Sequence, residues 1–231
     1  SFEFLQQLRQ AATASSCSMN DLLVQALLCC LGEWNHTHGD PRADDWLRVV
    51  IPTNLRTRAD LELPAANRLS NVFITRRQSS LANREQLLRS IKAETSQNRR
   101  DRLAYNMLSK LGIMDAAPFA LPTLFSPRRC LATAVLSNIG DPTRRFAFRF
   151  PRDRGRIVAG DVLLDNINAV PPIRPLTRLV MLINTYGGNL SVSIQLDPKH
   201  FGASDSSQFL GRFEAMLEQS IPSDTRRRAA A

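Results

Sequence analysis

The sequence predicts an α/β fold in which a mixed β-sheet is covered by helices. Three observations lead there. The run from Ser18 to Trp34 is apolar around almost its whole helical circumference, the pattern of a helix packed on several sides. Short stretches rich in β-branched and aromatic residues follow it, several of them bounded by proline or glycine. The closing segment 204–221 places Phe209, Leu210, Phe213, Met216 and Leu217 inward at helical spacing, so a further helix is available to cover the sheet.

In chain order, residues 1–17 read as a linker helix arriving from something earlier, with Phe2, Leu5 and Leu8 on one side and a turn at Ser15-Ser16. The core helix opens with Ser18 and, three places later, Asp21, the sequence form of a capping box. Ser18 or Asn20 can accept a first-turn amide while Asp21 complements the helix dipole, so Asn20 and Asp21 read as structural caps. Gly32 and Trp34-Asn35-His36 weaken the helix, which is expected to leave near Trp34 into a polar loop over 35–45. That loop holds His36 and His38. Two histidines two apart could share a strand face and hold a metal, but no third ligand is near, and a solvated loop without metal is expected.

Trp46 to Ile51 is a strand ending at Pro52, with Asn54 and Arg56 just beyond its carboxyl end. Leu69 to Thr75 is the next, after a turn at Ala65-Ala66-Asn67-Arg68. An amphipathic helix is predicted from about Ser80 to Leu103, with Leu81, Leu87, Leu88, Ile91 and Ala93 inward and Arg99-Arg100-Asp101-Arg102 as a solvated end favoured by the dipole. A short helix to Gly112 and a broken apolar helix over 118–125 follow. Strands are predicted at 130–136, at 145–150 by strict alternation, at 158–167, at 177–185 and at 190–196, the last two joined by the hairpin turn Tyr186-Gly187-Gly188-Asn189. Residues 222–231, with three successive arginines, read as a mobile basic tail.

A chain of 231 residues can bury roughly 70–75% of its unfolded surface without metal or disulfide, as one α/β domain or one lobe of a larger protein. Its four cysteines lack a metal-binding spacing and two adjoin inside the apolar helix, which fits a reducing compartment and a cytoplasmic location. The longest apolar run, Leu22 to Leu31, is too short to span a bilayer, so no transmembrane segment is expected. The chain begins at Ser1 without methionine, and an upstream segment is expected. The net charge of +9 comes from 27 Arg and 3 Lys scattered along the chain with few aromatics, so no specific nucleic-acid partner is expected. A nucleophile elbow, a phosphate-binding glycine loop, a dinucleotide fingerprint and a zinc signature are all absent. His200, at a strand-to-helix junction, reads as a surface or capping residue. A general base there would need a pocket around it.

Five strings, in order along the chain, resemble a known superfamily. Ser18-Met19-Asn20-Asp21-Leu22-Leu23 is similar to the Val-Asn-Asp helix start of wax ester synthase/diacylglycerol acyltransferase enzymes and of condensation domains. Val50-Ile51-Pro52-Thr53-Asn54-Leu55-Arg56 is similar to their Pro-Val-x-Leu-Arg strand end, and Ala66-Asn67-Arg68-Leu69-Ser70 to their Gly-Asn-x-x-Ser step. Ser137-Asn138-Ile139-Gly140 resembles the Ser-Asn-x-Gly segment, and Tyr186-Gly187-Gly188-Asn189-Leu190 the Tyr-x-Gly-x-Leu hairpin.

The resemblance implies the C-terminal lobe of a chloramphenicol-acetyltransferase-like acyltransferase over residues 18–221. Such proteins join two lobes around a tunnel. An acyl thioester on coenzyme A or a carrier protein serves as co-substrate, no cofactor is permanently bound, and an alcohol or amine accepts the acyl group. A histidine of a His-His-x-x-x-Asp-Gly motif takes the acceptor's proton. This chain has no His-His pair, and His36-Thr37-His38-Gly39-Asp40 departs from the motif in spacing, so the catalytic histidine is expected in the missing N-terminal lobe and this segment alone is expected to be inactive. The resemblance makes Ser137, Asn138, Asn54 and Arg56 substrate-tunnel candidates. On the residues alone, Ser137 and Asn138 equally fit a turn before Pro142. Asn20, Asp21, Tyr186, Gly187 and Gly188 are motif residues with structural roles. Two other functions remain: a non-catalytic binding or scaffold lobe of the same fold, and a basic nucleic-acid-binding protein.

Overall fold

A computed structural model describes residues 2–39, 41–57, 60, 68–103, 105, 112, 114, 119, 126, 130–144 and 149–222. The helices are α1 (Phe2–Ala14), α2 (Met19–His38), α3 (Arg84–Arg100) and α4 (Asp205–Gln219). The strands are β1 (Trp46–Asn54), β2 (Leu69–Arg77), β3 (Ala134–Gly140), β4 (Arg152–Asp153), β5 (Arg156–Ala159), β6 (Val162–Leu163), β7 (Leu179–Tyr186) and β8 (Asn189–Leu196). Five strands form a mixed sheet in the order β2-β1-β3-β7-β8. The three central strands run parallel, and β2 and β8 close the edges antiparallel. The short β4, β5 and β6 make a separate antiparallel arm.

One core lies between the sheet and its helices. It joins Leu23, Leu27 and Leu28 of α2 to Leu87 and Ile91 of α3 and to Phe209 and Phe213 of α4. The sheet residues that meet them alternate: Leu47, Val49 and Ile51 on β1, Ala134 and Leu136 on β3, Leu179, Met181 and Ile183 on β7. Since strand side chains point to opposite faces in turn, these helices share one face. Among the described residues the other face carries no helix. The helix over 2–14 packs into the same body: Leu8 joins the central core, and Ala11 and Ala12 pack with Leu22.

Several boundaries differ from the sequence expectation, each for a physical reason. α2 continues through His38 instead of leaving near Trp34. Side chains of its last turn bond back onto the helix, since Thr37 Oγ1 donates to Glu33 O at 2.8 Å and His38 Nδ1 lies 3.1 Å from Trp34 O. The His38 ring also stacks on Trp34 at 3.9 Å, so His36 and His38 are helical, not loop residues. β1 runs through Pro52 to Asn54. Its ladder to β3 registers only at Val49 and Val50, so Pro52 is already on a free flank, where a missing N–H is tolerated. The helix predicted from Ser80 begins at Arg84, because the Asn83 side chain accepts from Gln86 N at 3.0 Å, and a tight turn over Gln78–Leu81 precedes it. Ala93 is exposed rather than inward. The strand predicted at 130–136 lies at 134–140, and the segment 158–167 divides into the hairpin of β5 and β6. Residues 104, 106–111, 118 and 120–125 of the expected helices, residues 145–148 of the alternating strand, Ala65-Ala66-Asn67, and the tail beyond 222 lie outside the described residues, and Arg149 and Phe150, the described end of that expected strand, are not in a strand.

Burial sorts the thiols. Cys29 and Cys30 are buried in α2 and Cys130 is exposed. Desolvation pushes the Cys29 thiol up and that of Cys30 up to about 12. Only the thiolate is nucleophilic, so at about pH 8 iodoacetamide is expected to modify Cys130 in the native protein and to reach Cys29 and Cys30 only after unfolding. Peptide mass mapping over time checks this, and early alkylation of Cys30 would contradict the packing of α2.

Candidate functional site

Because β1, β3 and β7 run parallel, their carboxyl ends, Asn54, Gly140 and Tyr186, share one edge of the sheet. Open α/β sheets commonly bind ligands outside such ends. The N-terminus of α2 is brought to the same edge by a closed capping box. Asp21 N donates to Ser18 Oγ at 3.2 Å, and Ser18 N and Oγ both donate to Asp21 Oδ2, at 2.8 and 2.7 Å. The other Asp21 oxygen accepts from Thr95 Oγ1 of α3 at 2.7 Å, so one buried carboxylate joins two helices. Asn20 points away from this knot, and its Oδ1 accepts from Asn138 Nδ2 at 2.6 Å, fastening α2 to the end of β3. Asn138 Oδ1 in turn accepts from Gly140 N at 3.0 Å across an irregular step in the β3–β7 ladder.

The adjacent Ser137 and Asn138 serve different faces. Asn138 has the parity of Ala134 and Leu136, so it belongs to the helix side, where Asn20 meets it. Ser137, paired in register with Leu182, belongs to the helix-free side. Both lie within β3 rather than in a turn before Pro142. Further along that face, buried Tyr186 anchors the arm: its hydroxyl accepts from Ile157 N at 2.9 Å and donates to Leu164 O at 2.7 Å. Asn184 Nδ2 donates to Ile167 O at 3.0 Å. Gly187 and Gly188, at φ 56° and 81°, form the primed turn that returns the chain into β8. A side chain on Gly188 would meet the Phe2 ring, 2.7 Å from its Cβ position.

Asn54 and Arg56 lie at the end of β1 but act differently. Asn54 Oδ1 accepts from Arg56 N at 2.9 Å and so closes the turn leaving the strand. The Arg56 side chain donates to Asp60 O at 3.3 Å. The Asp60 carboxyl, held below the usual carboxylate range first by the Thr57 N–H, also pairs with Arg68.

A cavity of about 290 Å³ opens between α2, α3 and β1. Ile51, Leu55 and Val72 line it with apolar surface. Asn20, Thr53, Asn54 and Asn98 bring neutral polar groups, and Arg99, Arg102 and Tyr105 also line it. Among the described residues, neither arginine has an acidic partner, and Arg99 makes one long bond from Nε to Thr95 O, 3.4 Å. Sequence reasoning missed Thr95, Asn98, Arg99 and Arg102 as site residues. One signal was legible: Thr95 and Asn98 continue the inward stripe of Leu87 and Ile91 with polar side chains, which marks the point where α3 stops covering core.

The histidines are elsewhere. His36 and His38 lie on the last turn of α2, far from its capped end. His200 follows β8, whose carboxyl end lies beside the start of β7, at the opposite edge from Tyr186. There its Nδ1 is 3.0 Å from Asp197 Oδ2 and 2.9 Å from Arg178 Nη1.

No family model matches the sequence, and no curated protein matches it. Solved structures do match the fold. The TRI3 trichothecene 15-O-acetyltransferase from Fusarium sporotrichioides superposes with a TM-score of 0.70 at 12% identity, over 96% of this chain and 45% of that one. The epimerization domain from the third module of tyrocidine synthetase B superposes at 0.61, with 13% identity over 96% and 46% of the two chains. A structure from work on condensation domain-mediated chain release from the enacyloxin polyketide synthase superposes at 0.55, with 15% identity over 95% and 39%. The chain thus spans less than half the length of these structures. Its fold is the one that these acetyltransferase, epimerization-domain and condensation-domain structures show over less than half of their length. The likeness to wax ester synthases rests on the sequence strings alone.

Proposed function

We propose that this chain is one lobe of an acyltransferase that moves an acyl group from a thioester, on coenzyme A or a carrier protein, to an alcohol or amine. In this reading the proton-accepting histidine comes from an upstream lobe. It takes the proton of the acceptor as the acceptor oxygen or nitrogen bonds to the thioester carbon, and the thiol departs with a proton. The thioester is a co-substrate, no cofactor stays bound, and the protein works in the cytoplasm.

The observation that carries the reading is the superposition of nearly the whole chain on less than half of an acetyltransferase, which leaves a second half to complete a cleft. The sheet face that carries no helix among the described residues supports it. Ser137 is half-buried there, near the parallel strand ends, and the arm held by Tyr186 stands beside it.

The test uses the complete gene product with acyl-coenzyme A or a carrier-bound thioester and a panel of alcohols and amines, with products identified by mass spectrometry. Ester or amide together with free thiol is expected from the complete protein and none from this chain alone. Replacing the proton-accepting histidine of an upstream His-His-x-x-x-Asp motif by alanine is expected to slow turnover about 10²- to 10⁴-fold. A complete protein that lacks the motif and turns over no thioester would instead be a scaffold lobe. Tight DNA or RNA binding that falls steeply with salt would favour the nucleic-acid reading.

A further inference from the structure

We propose that the cavity between α2, α3 and β1 binds a small amphiphilic anion, a molecule with a carboxylate or phosphate head on an apolar body. Ile51, Leu55 and Val72 give the apolar part of the wall. Burial of an alkyl body against it is favourable in proportion to the apolar area taken out of water. Arg99 and Arg102 line the same cavity, and among the described residues no carboxylate pairs with either. A guanidinium with unused donors beside apolar surface selects for an anionic head over a hydroxyl.

The acidic group in the wall, Asp21, does not offset this. Its oxygens accept from Ser18 N, Ser18 Oγ and Thr95 Oγ1, and it stands at the positive end of α2. Asn54, Asn98 and Asn20 add amides to the same wall, able to orient a polar group between head and body. The volume of about 290 Å³ is at the lower end for ligand sites, which suits a small molecule rather than a macromolecule. Only the ligand's role rests on the acyl-transfer reading, in which it also carries a hydroxyl or amine between head and body and is the acyl acceptor, held beside the end of β1. Its binding is read without any thioester, so a failure of either idea is recognised separately.

The experiment is calorimetric titration of the complete protein with octanoate, octyl phosphate and octanol. One or both anions are expected to bind at least about tenfold more tightly than octanol, and the pair of anions distinguishes carboxylate from phosphate. Replacing both rim arginines, Arg99→Gln with Arg102→Gln, is expected to weaken anion binding about tenfold or more and to leave octanol binding unchanged. Both side chains are exposed, so the fold is expected to survive, and far-UV circular dichroism verifies that. Equal affinity for octanol and the anions, unchanged anion binding in the double variant, or no binding of any of the three probes would overturn the proposal.

Discussion

Replacing Asp21 with alanine is expected to lower the unfolding free energy by about 3 kcal/mol, measured by urea unfolding. The carboxylate is buried, with 1% of its surface exposed, and accepts from Ser18 N, Ser18 Oγ and Thr95 Oγ1. Alanine removes the reciprocal half of the capping box and leaves the Thr95 hydroxyl without its partner on α2. A lost cap costs typically about 1 kcal/mol, and a hydrogen bond to a charged group about 1.5–3. Thr95→Ala, which removes only the link to α3, is expected to cost about 1 kcal/mol. If Asp21→Ala costs less than about 0.5 kcal/mol, the range of an unremarkable surface change, the two helices are not held through this residue.

Phe209→Ala is expected to cost about 3–5 kcal/mol, as full truncation of a core aromatic does. Phe209 is wholly buried where α4 crosses α2, its ring 5.5 Å from that of Trp34, and its carbonyl faces Cys30 Sγ at 3.7 Å. Truncation opens a hole beside Trp34, one turn along α2 from that thiol. A second readout follows, since alkylation of Cys30 should become measurable before global unfolding in this variant. Phe209→Leu retains most of the volume and is expected to cost about 1.5 kcal/mol or less. A Phe209→Ala protein with wild-type stability would mean that α4 does not close the core.

How much was legible in the sequence followed the range of the interaction. The capping box of Ser18 and Asp21 spans three residues and was visible as a pattern, as was the hairpin at Gly187-Gly188, where two successive positive φ angles call for glycine. The all-round apolar character of α2 announced a helix with neighbours on several sides, and α3, α4 and the sheet supply them. The end of α2 was not legible. Its last turn is held by Arg212 of α4, which donates to Thr37 Oγ1 at 2.9 Å and lies over the Trp34 ring, a contact made across the fold. Pro52 misled for a similar reason: whether proline ends a strand depends on which flank is paired, and pairing is a property of the sheet.

The candidate site was legible in its parts but not in its arrangement. Sequence strings singled out Asn20 and Asn138 separately. Their hydrogen bond joins positions 118 apart, and no local periodicity encodes it. Thr95, Asn98, Arg99 and Arg102 read as the wet end of a helix because a polar face looks the same whether it meets bulk water or a cavity. Only the packing of α3 against α2 and β2 separates the two.

The alternation at the end of β3 makes two neighbours in the sequence independent experimental handles. A variant at Ser137 changes the sheet face opposite the helices, which the acyl-transfer reading assigns to a second lobe or a substrate, with little leverage on how α2 is seated. A variant at Asn138 does the reverse, unfastening α2 from the sheet while the opposite surface keeps its chemistry. Any survey that pools these two positions as one motif would average a recognition effect with an anchoring effect and mistake the mean for either.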